Sequence, residues 1–145
     1  MSEDTPMNYR IEAITLPVSD VDRAKAFYEQ AGWQLDVDTE PAPGMRVVQF
    51  TPPGSDCSIT FGTGMPQSEP GSYRNTYLVV ADIEPAHREL VDRGLPISDI
   101  FHFGAQGQMS GPDPQHGDFM SYASFADPDG NTWLLQEVPS RAKGA

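Results

Sequence analysis

An internal repeat is the feature of this sequence that most constrains its fold. Three pairs of residues recur at a constant separation of 62 positions: Val18 and Val80, Asp20 and Asp82, and Gly32 and Gly94. In both halves a strand-like segment comes first, a helix-like segment lies between the Asp and the Gly, and further strand-like segments follow. Because each such unit is a recurring supersecondary structure, the repeat predicts two modules of βαβββ order.

The first module carries clear strand and helix signals. Residues 11–18 place three large apolar side chains on one face of a strand. Ser19 or Asp20 can cap the helix that follows, and Gly32 can end it. The Pro- and Gly-rich segments that come later separate three further expected strands, near residues 33–38, 45–50 and 57–61.

The second module repeats this order. Residues 75–80 predict a strand, and the helix that follows begins after Asp82 and ends at Gly94. Residues 104–117 have no periodicity and many helix- and strand-breaking residues, so they predict a long loop, which in a small domain is often a lid or a binding loop. Two more strands are expected near residues 119–125 and 132–138, split by a turn at residues 127–130.

These signals divide the chain into five parts. Residues 1–10 are expected to form a loose N-terminus, residues 63–73 to link the modules, and residues 139–145 to form a C-terminal tail. The modules themselves are expected at residues 11–62 and 74–138.

Composition limits the classes of function. The chain has 145 residues, and 38% of them are hydrophobic, which is enough for a packed core. The net charge of −12 repels phosphate backbones and disfavours nucleic acid as a partner, whereas it attracts cationic ligands and also favours solubility. No apolar run is long enough to span a membrane, and the first residues lack the pattern of a signal peptide, so we expect a soluble cytoplasmic protein.

Residues 16–28, 79–82 and 125–131 form three segments with a recognisable pattern. Together they resemble the vicinal-oxygen-chelate superfamily, which includes glyoxalase I, extradiol dioxygenases, fosfomycin-resistance enzymes and bleomycin-binding proteins. The resemblance implies an α+β fold in which paired βαβββ modules form a cupped, barrel-like mixed sheet with helices on the outer face. Members of this size often assemble as dimers, so a homodimer is expected.

The resemblance also implies where a metal ion would bind. Metal-dependent members of the superfamily hold a divalent ion with His and Glu side chains from four strands. The matching positions in this sequence are Ala13, Thr60, Asn75 and Leu134. Because Ala and Leu have no ligating atom, and Thr and Asn are poor substitutes for His or Glu, we expect no metal and no other cofactor.

Strand parity predicts a neutral cavity face. In four of the expected strands, the apolar positions form one face, which should pack on the helices. The positions that alternate with them form the opposite face, toward the cavity, and none of these is His, Asp or Glu. Such a face suits a small organic ligand that makes a few hydrogen bonds, and the ring of Tyr77 could stack on an aromatic or cationic group. The candidate ligand-binding residues are Ala13, Thr15, Thr60, Asn75, Tyr77, Leu134 and Gln136.

Two histidines are candidate catalytic bases, since an imidazole titrates near neutral pH. His102 is expected at a strand end near the cavity mouth, with a structural histidine between two apolar rings as the alternative. His116 lies in the predicted loop, with a solvated loop residue as the alternative. Glu137 occupies the same face of the last expected strand as Trp133 and Leu135, so its side chain should point away from the cavity.

The sequence leaves three functional hypotheses open. The first is a metal-free protein that binds or sequesters a small organic molecule, as resistance proteins do. The second is a metal-independent lyase or isomerase acting next to a carbonyl, with Asn75, Tyr77 or Gln136 donating hydrogen bonds to an oxyanion. The third is a metal-dependent glyoxalase or dioxygenase with relocated ligands.

Overall fold

The computed structural model describes residues 6–142, in which the first module has the βαβββ order and the second has the same order with one additional strand. The elements of the first module are β1 (Ala13–Thr15), α1 (Val21–Gln30), β2 (Gln34–Ala42), β3 (Met45–Thr51) and β4 (Ser58–Thr63). The elements of the second module are β5 (Thr76–Val80), α2 (Ile83–Asp92), β6 (Phe101–Gly104), β7 (Gly107–Ser110), β8 (Ser121–Ala126) and β9 (Thr132–Glu137), with a short α3 (Pro139–Ala142) after them.

Both main helices begin and end where the sequence predicts. The Asp20 side chain accepts a hydrogen bond from the Arg23 backbone N–H at 3.0 Å, and the Asp82 side chain accepts one from the Glu84 backbone N–H at 3.3 Å. Gly32 and Gly94 follow the helices with φ angles of 86° and 83°, a region that favours glycine. None of the helices within residues 6–142 is long and apolar enough to cross a membrane.

Each module forms one mixed sheet. Sheet A has the strand order β1-β4-β3-β2, and sheet B has the order β5-β9-β8-β6-β7. The first strand of each module pairs in parallel with the last, whereas the remaining pairs are antiparallel. This pattern confirms the repeated module and the α+β class, and the two sheets remain open rather than closing into a barrel.

Strand β7 lies inside the segment for which the sequence predicts a loop. Residues 107–110 pair with β6, with Phe103 opposite Gln108 and His102 opposite Met109. All four residues of β7 are exposed, so the strand has no apolar alternation from which it could be predicted. Residues 111–117, the rest of the expected loop after β7, contain no strand, and β8 begins at Ser121, two residues after the start of the strand expected near residues 119–125.

The helix-facing sides of the two sheets share one apolar core. Its centre is the fully buried Tyr28 of α1, whose ring lies within 6.2 Å (centroid to centroid) of five other aromatic rings. These rings come from both modules: Phe27, Trp33, Phe50 and Phe61 from the first, and Trp133 from the second. The apolar strand faces therefore pack on the helices, as parity predicts.

A buried cluster of hydrogen bonds joins the modules inside this core. The Tyr28 hydroxyl donates to Asp127 Oδ2 at 2.9 Å and accepts from Trp133 Nε1 at 3.0 Å. The Asn131 side-chain amide donates to the same Asp127 oxygen and to the Pro17 carbonyl oxygen. Burial, together with the nearby Asp127 charge, raises the pKa of Tyr28, so its hydroxyl stays a neutral donor.

We predict that Tyr28→Phe destabilises the protein by about 1–3 kcal/mol, because it removes a buried donor and leaves Asp127 and the Trp133 indole with one partner fewer. Denaturant unfolding measures this change. Tyr77→Phe is the matched control, since the Tyr77 ring is 58% exposed. Equal unfolding free energies for the two variants would contradict the role of the cluster.

Candidate ligand-binding site

The side of sheet B that faces away from the helices is open to solvent. On β8, Ser121, Ala123 and Phe125 are buried against the helices, whereas Tyr122 and Ser124 between them are only partly buried. Residues that are paired across adjacent strands point to the same side of a sheet, and Tyr122 is paired with Phe101 on β6 and with Gln136 on β9. These residues therefore share the open face.

Three aromatic rings form a contiguous platform on this face, which we call the aromatic platform: Phe101, Phe103 and Tyr122. The rings of Phe101 and Tyr122 are stacked, with centroids 5.8 Å apart and an interplanar angle of 25°. Phe103 meets both edge-on, at 5.9 Å from Phe101 and 5.8 Å from Tyr122. Because Phe103 is 50% exposed, the platform presents unused aromatic surface to solvent.

The platform is one wall of a depression of about 350 Å³. Its other lining residues carry no formal charge: Asn75, Tyr77, Gln108, Ser124 and Leu134. The depression continues past Phe101 and Gln108 into a second one of about 460 Å³, where Asp99 supplies a carboxylate at the rim. The site therefore combines aromatic surface, a few amide and hydroxyl groups, and a negative charge at its edge.

The structure brings together part of the set predicted from the sequence. Asn75, Tyr77 and Leu134 line the depression, and Gln136 lies on the same face beside Tyr122. The remaining three residues belong to sheet A: Ala13, Thr15 and Thr60. The hydroxyl oxygens of Thr15 and Thr60 are 3.5 Å apart, but these residues do not line the depression on sheet B.

Sequence reasoning missed five lining residues: Phe101, Phe103, Gln108, Tyr122 and Ser124. Alternation on β8 could have found two of them, since buried positions alternate there with half-buried ones. Gln108 gave no signal because it belongs to the exposed strand β7.

Comparison with known proteins places this architecture in a family. The family model described as Glyoxalase/Bleomycin resistance protein/Dioxygenase superfamily matches residues 10–135, which is most of the chain. The chain belongs to this superfamily. The match spans both modules, so the resemblance noted in three segments extends over the whole repeat.

Several solved structures of superfamily proteins are similar to this chain. One is TnmS3, an antibiotic binding protein from Streptomyces sp. CB03234, which is 30% identical over 90% of this chain and 97% of its own, with a TM-score of 0.68. A glyoxalase/bleomycin resistance protein from the same organism is also 30% identical, over 88% of this chain and all of its own, with a TM-score of 0.65. A superfamily member from Sphaerobacter thermophilus DSM 20745 is 28% identical over 91% and 99%, with a TM-score of 0.66. No curated protein matched the sequence.

The residues that the sequence matches to the superfamily's metal positions do not suit a divalent ion. Ala13 and Leu134 carry hydrocarbon side chains, whereas Thr60 and Asn75 offer a hydroxyl and an amide. These neutral oxygen atoms are poor substitutes for an imidazole or a carboxylate. Residues 6–142 also contain no cluster of three or more His, Cys, Asp or Glu side chains that could hold a metal ion elsewhere.

His102 lies on the helix side of sheet B rather than at the mouth of the depression. It is opposite the fully buried Ser121 and is only 8% exposed. Its Nδ1 atom is 2.7 Å from the carbonyl oxygen of Gly111. The sheet therefore separates His102 from the aromatic platform, and the histidine has a structural hydrogen bond.

His116 lies against the start of α2, also away from the platform. Its Nδ1 atom is 3.1 Å from both carboxylate oxygens of Glu137, and its Nε2 atom is 4.0 Å from Glu84. Glu137 is 1% exposed and accepts a hydrogen bond from the Ile83 backbone N–H, so its side chain points toward the helices as parity predicts. The hydrogen bond to Glu137 raises the pKa of His116, and the Glu84 charge adds to this shift.

We predict that this pair makes stability depend on pH. Because the pKa of His116 lies above its unfolded value of about 6.5, the protonated imidazole stabilises the folded chain fully below about pH 6.5. This contribution is lost as pH rises through the raised folded-state pKa. It is small, since the His116 side chain is 40% exposed and solvent screens the pair.

Urea unfolding of the wild type and of His116→Gln across neutral pH measures this contribution. The difference in unfolding free energy between the two proteins should shrink as pH rises. A difference that stays constant with pH would contradict the ion pair.

Proposed function

We propose that this chain binds a small organic molecule with a planar aromatic part, without a metal ion, and sequesters it in the cytoplasm. The observation that carries the proposal is the aromatic platform, whose rings face solvent beside neutral hydrogen-bonding groups. A planar ligand stacked there gains about 0.5–1.5 kcal/mol per aromatic pair beyond its buried area. Asn75, Gln108 and Ser124 would orient its polar substituents.

The comparisons support a binding role of the resistance kind. TnmS3, with 30% identity over 90% of this chain, is described as an antibiotic binding protein. A protein that only captures its ligand needs complementary surface and no catalytic base. The site on sheet B supplies such a surface.

Charge favours a cationic ligand. The chain carries a net charge of −12, and Asp99 lies at the rim of the depression that adjoins the platform. Negative potential at the entrance raises the local concentration of cations, and aromatic faces also attract them.

The site is proposed to be completed by a second copy of the chain. Small-molecule sites usually bury most of the ligand surface, whereas the platform is open to solvent in one chain. In a homodimer the open face of sheet A, with Ala13, Thr15 and Thr60, would cover sheet B of its partner. All seven residues predicted from the sequence would then surround one ligand.

Binding is favoured over a lyase or isomerase activity because no histidine of the chain lies at the platform. The sequence contains three. His102 is on the opposite face of sheet B, His116 is paired with Glu137, and His87 is bonded to the Ser98 carbonyl oxygen at 2.8 Å. A general base would have to come from another residue type.

We predict that Phe103→Ala and Tyr77→Ala each weaken binding of the planar aromatic cation proflavine about tenfold, because each removes one stacking ring. Isothermal titration calorimetry measures the affinity. Phe119→Ala is the matched control, since Phe119 is a comparably exposed ring (44%) that does not line the depression. An equal loss in all three variants, or no loss in any, would contradict the proposed site.

A second prediction concerns metal removal. Because the residues matched to the metal positions include no imidazole or carboxylate, protein treated with EDTA should bind proflavine as tightly as untreated protein. Adding Zn²⁺, Ni²⁺ or Mn²⁺ back should leave the affinity unchanged. If EDTA abolished binding and one equivalent of a divalent ion restored it, a metal-dependent site would be required.

A further inference from the structure

The chain is irregular immediately before β6, where it pairs with β8. Phe101 lies opposite Tyr122 on β8, whereas Ile97, four residues before Phe101, lies opposite Phe125, which is three residues after Tyr122. The segment before β6 therefore contains one residue more than the β8 segment that it faces. Such an extra residue is a β-bulge, and bulges are common next to binding sites because they redirect a side chain. We call residues 98–100 the β6 bulge.

Hydrogen bonds hold the β6 bulge at both ends. The Ser98 backbone N–H donates to the Ser124 carbonyl oxygen at 2.8 Å, and the Ser98 hydroxyl accepts from the Ser124 backbone N–H at 2.9 Å. The same hydroxyl donates to the Asp99 carbonyl oxygen at 3.0 Å. At the other end, the Gly111 backbone N–H donates to the Ile100 carbonyl oxygen at 2.8 Å. The bulge is therefore a fixed part of sheet B.

The β6 bulge forms one wall of the second depression beside the aromatic platform, which we call the Asp99 depression. Its volume is about 460 Å³, and all three bulge residues line it. Phe101, Gln108 and Ser124 line both this depression and the one at the platform, so a single ligand can occupy the two. Asp99 is two residues from Phe101, a spacing of at most about 7 Å in extended chain.

Asp99 brings a negative charge to a surface that is otherwise neutral. Among residues 6–142, it is the only charged residue that lines either depression. Its hydrogen bond with Ser98 uses the backbone carbonyl oxygen, and its exposed carboxylate forms no salt bridge with the described part of the chain. The carboxylate is therefore available to a cation that reaches it from the platform.

We propose that the Asp99 depression is a subsite for a protonated amine, which the aromatic ligand of the platform carries on a short flexible arm. The Asp99 carboxylate accepts hydrogen bonds from the ammonium group. Ser98 is a positioning residue, because its hydroxyl holds the bulge that places Asp99. The inference rests on the proposed function, since the platform must bind the ring that carries the arm. It narrows the ligand class to planar aromatic molecules with a basic arm.

Three acridines that differ only in the arm test the subsite. The first is 9-aminoacridine, the second carries a 3-aminopropyl arm on the 9-amino nitrogen, and the third is the second with its terminal amine acetylated and therefore neutral. By isothermal titration calorimetry, the wild type should bind the amine about threefold to fivefold more tightly than the acetamide, as expected for an exposed ion pair. Equal affinities for these two ligands would overturn the inference.

Two variants of equal charge show whether Asp99 causes the preference. Asp99→Asn should remove most of the difference between the amine and the acetamide, because an amide of the same shape carries no charge. Asp92→Asn is the matched control, since Asp92 is exposed on α2 and lines neither depression. It should keep the full preference. Loss of the preference in both variants, or in neither, would contradict the role of Asp99.

Two substitutions of Ser98 test the positioning role. Ser98→Ala removes the hydroxyl that joins Ser124 to Asp99, so it should weaken binding of the amine and leave the affinity for 9-aminoacridine unchanged. Ser98→Thr keeps a hydroxyl and should restore the preference for the amine. An equal loss of affinity for all three acridines in Ser98→Ala would contradict the positioning role.

The outcomes separate this inference from the proposed function. If the wild type binds all three acridines with the same affinity and Phe103→Ala weakens each of them, the platform stands and the Asp99 subsite is overturned. If the wild type binds none of the acridines, both are overturned.

Discussion

The Asp127 carboxylate is the interaction on which the rest of this structure depends. It is buried, and its oxygens accept hydrogen bonds from the Tyr28 hydroxyl, the Asn131 side chain, and the backbone N–H groups of Asp129 and Asn131. A buried carboxylate is tolerated only when donors replace the water it has lost. Tyr28 belongs to the first module, whereas the other donors belong to the second. The hydrogen bonds to the Asp127 carboxylate therefore fix the position of the first module relative to the second.

The packing of the two modules determines which faces of the sheets are accessible to a ligand. Because α1 and the helix-facing sides of both sheets form one core, the opposite sides of the sheets face outward. The core side must be apolar and closely packed, whereas the outward side can carry whatever groups a ligand requires. On sheet B it carries aromatic rings, amides and hydroxyls rather than metal ligands. The chain therefore keeps the architecture of its superfamily, and the side chains that line the depression on sheet B carry no formal charge.

Much of the fold could be predicted from the sequence because periodicity and capping are local signals. The repeat, the caps at Asp20 and Asp82, and the inward direction of Glu137 each follow from a few neighbouring residues. The sequence predicts only a turn around Asp127, because the hydrogen bond from Tyr28 to Asp127 joins residues 99 positions apart and leaves no local pattern.

The site was harder to predict than the fold, because it depends on register between strands. The sequence does not show which residues of β6 face the cavity, because this depends on how β6 pairs with β8. It therefore predicts His102 at the cavity, whereas the structure has Phe101 and Phe103 there. Strand β7 is short and exposed on every residue, and it gave no periodic signal.

We propose that the outward face of sheet B binds a planar aromatic molecule without a metal ion. An NMR titration of EDTA-treated protein with proflavine, observing the ring resonances of the phenylalanines and tyrosines, tests this proposal. We expect saturable upfield shifts, caused by stacking, at Phe101, Phe103 and Tyr122. Shifts confined to rings that do not line the depression, such as Phe119, or no shifts at any accessible proflavine concentration, would contradict the proposal.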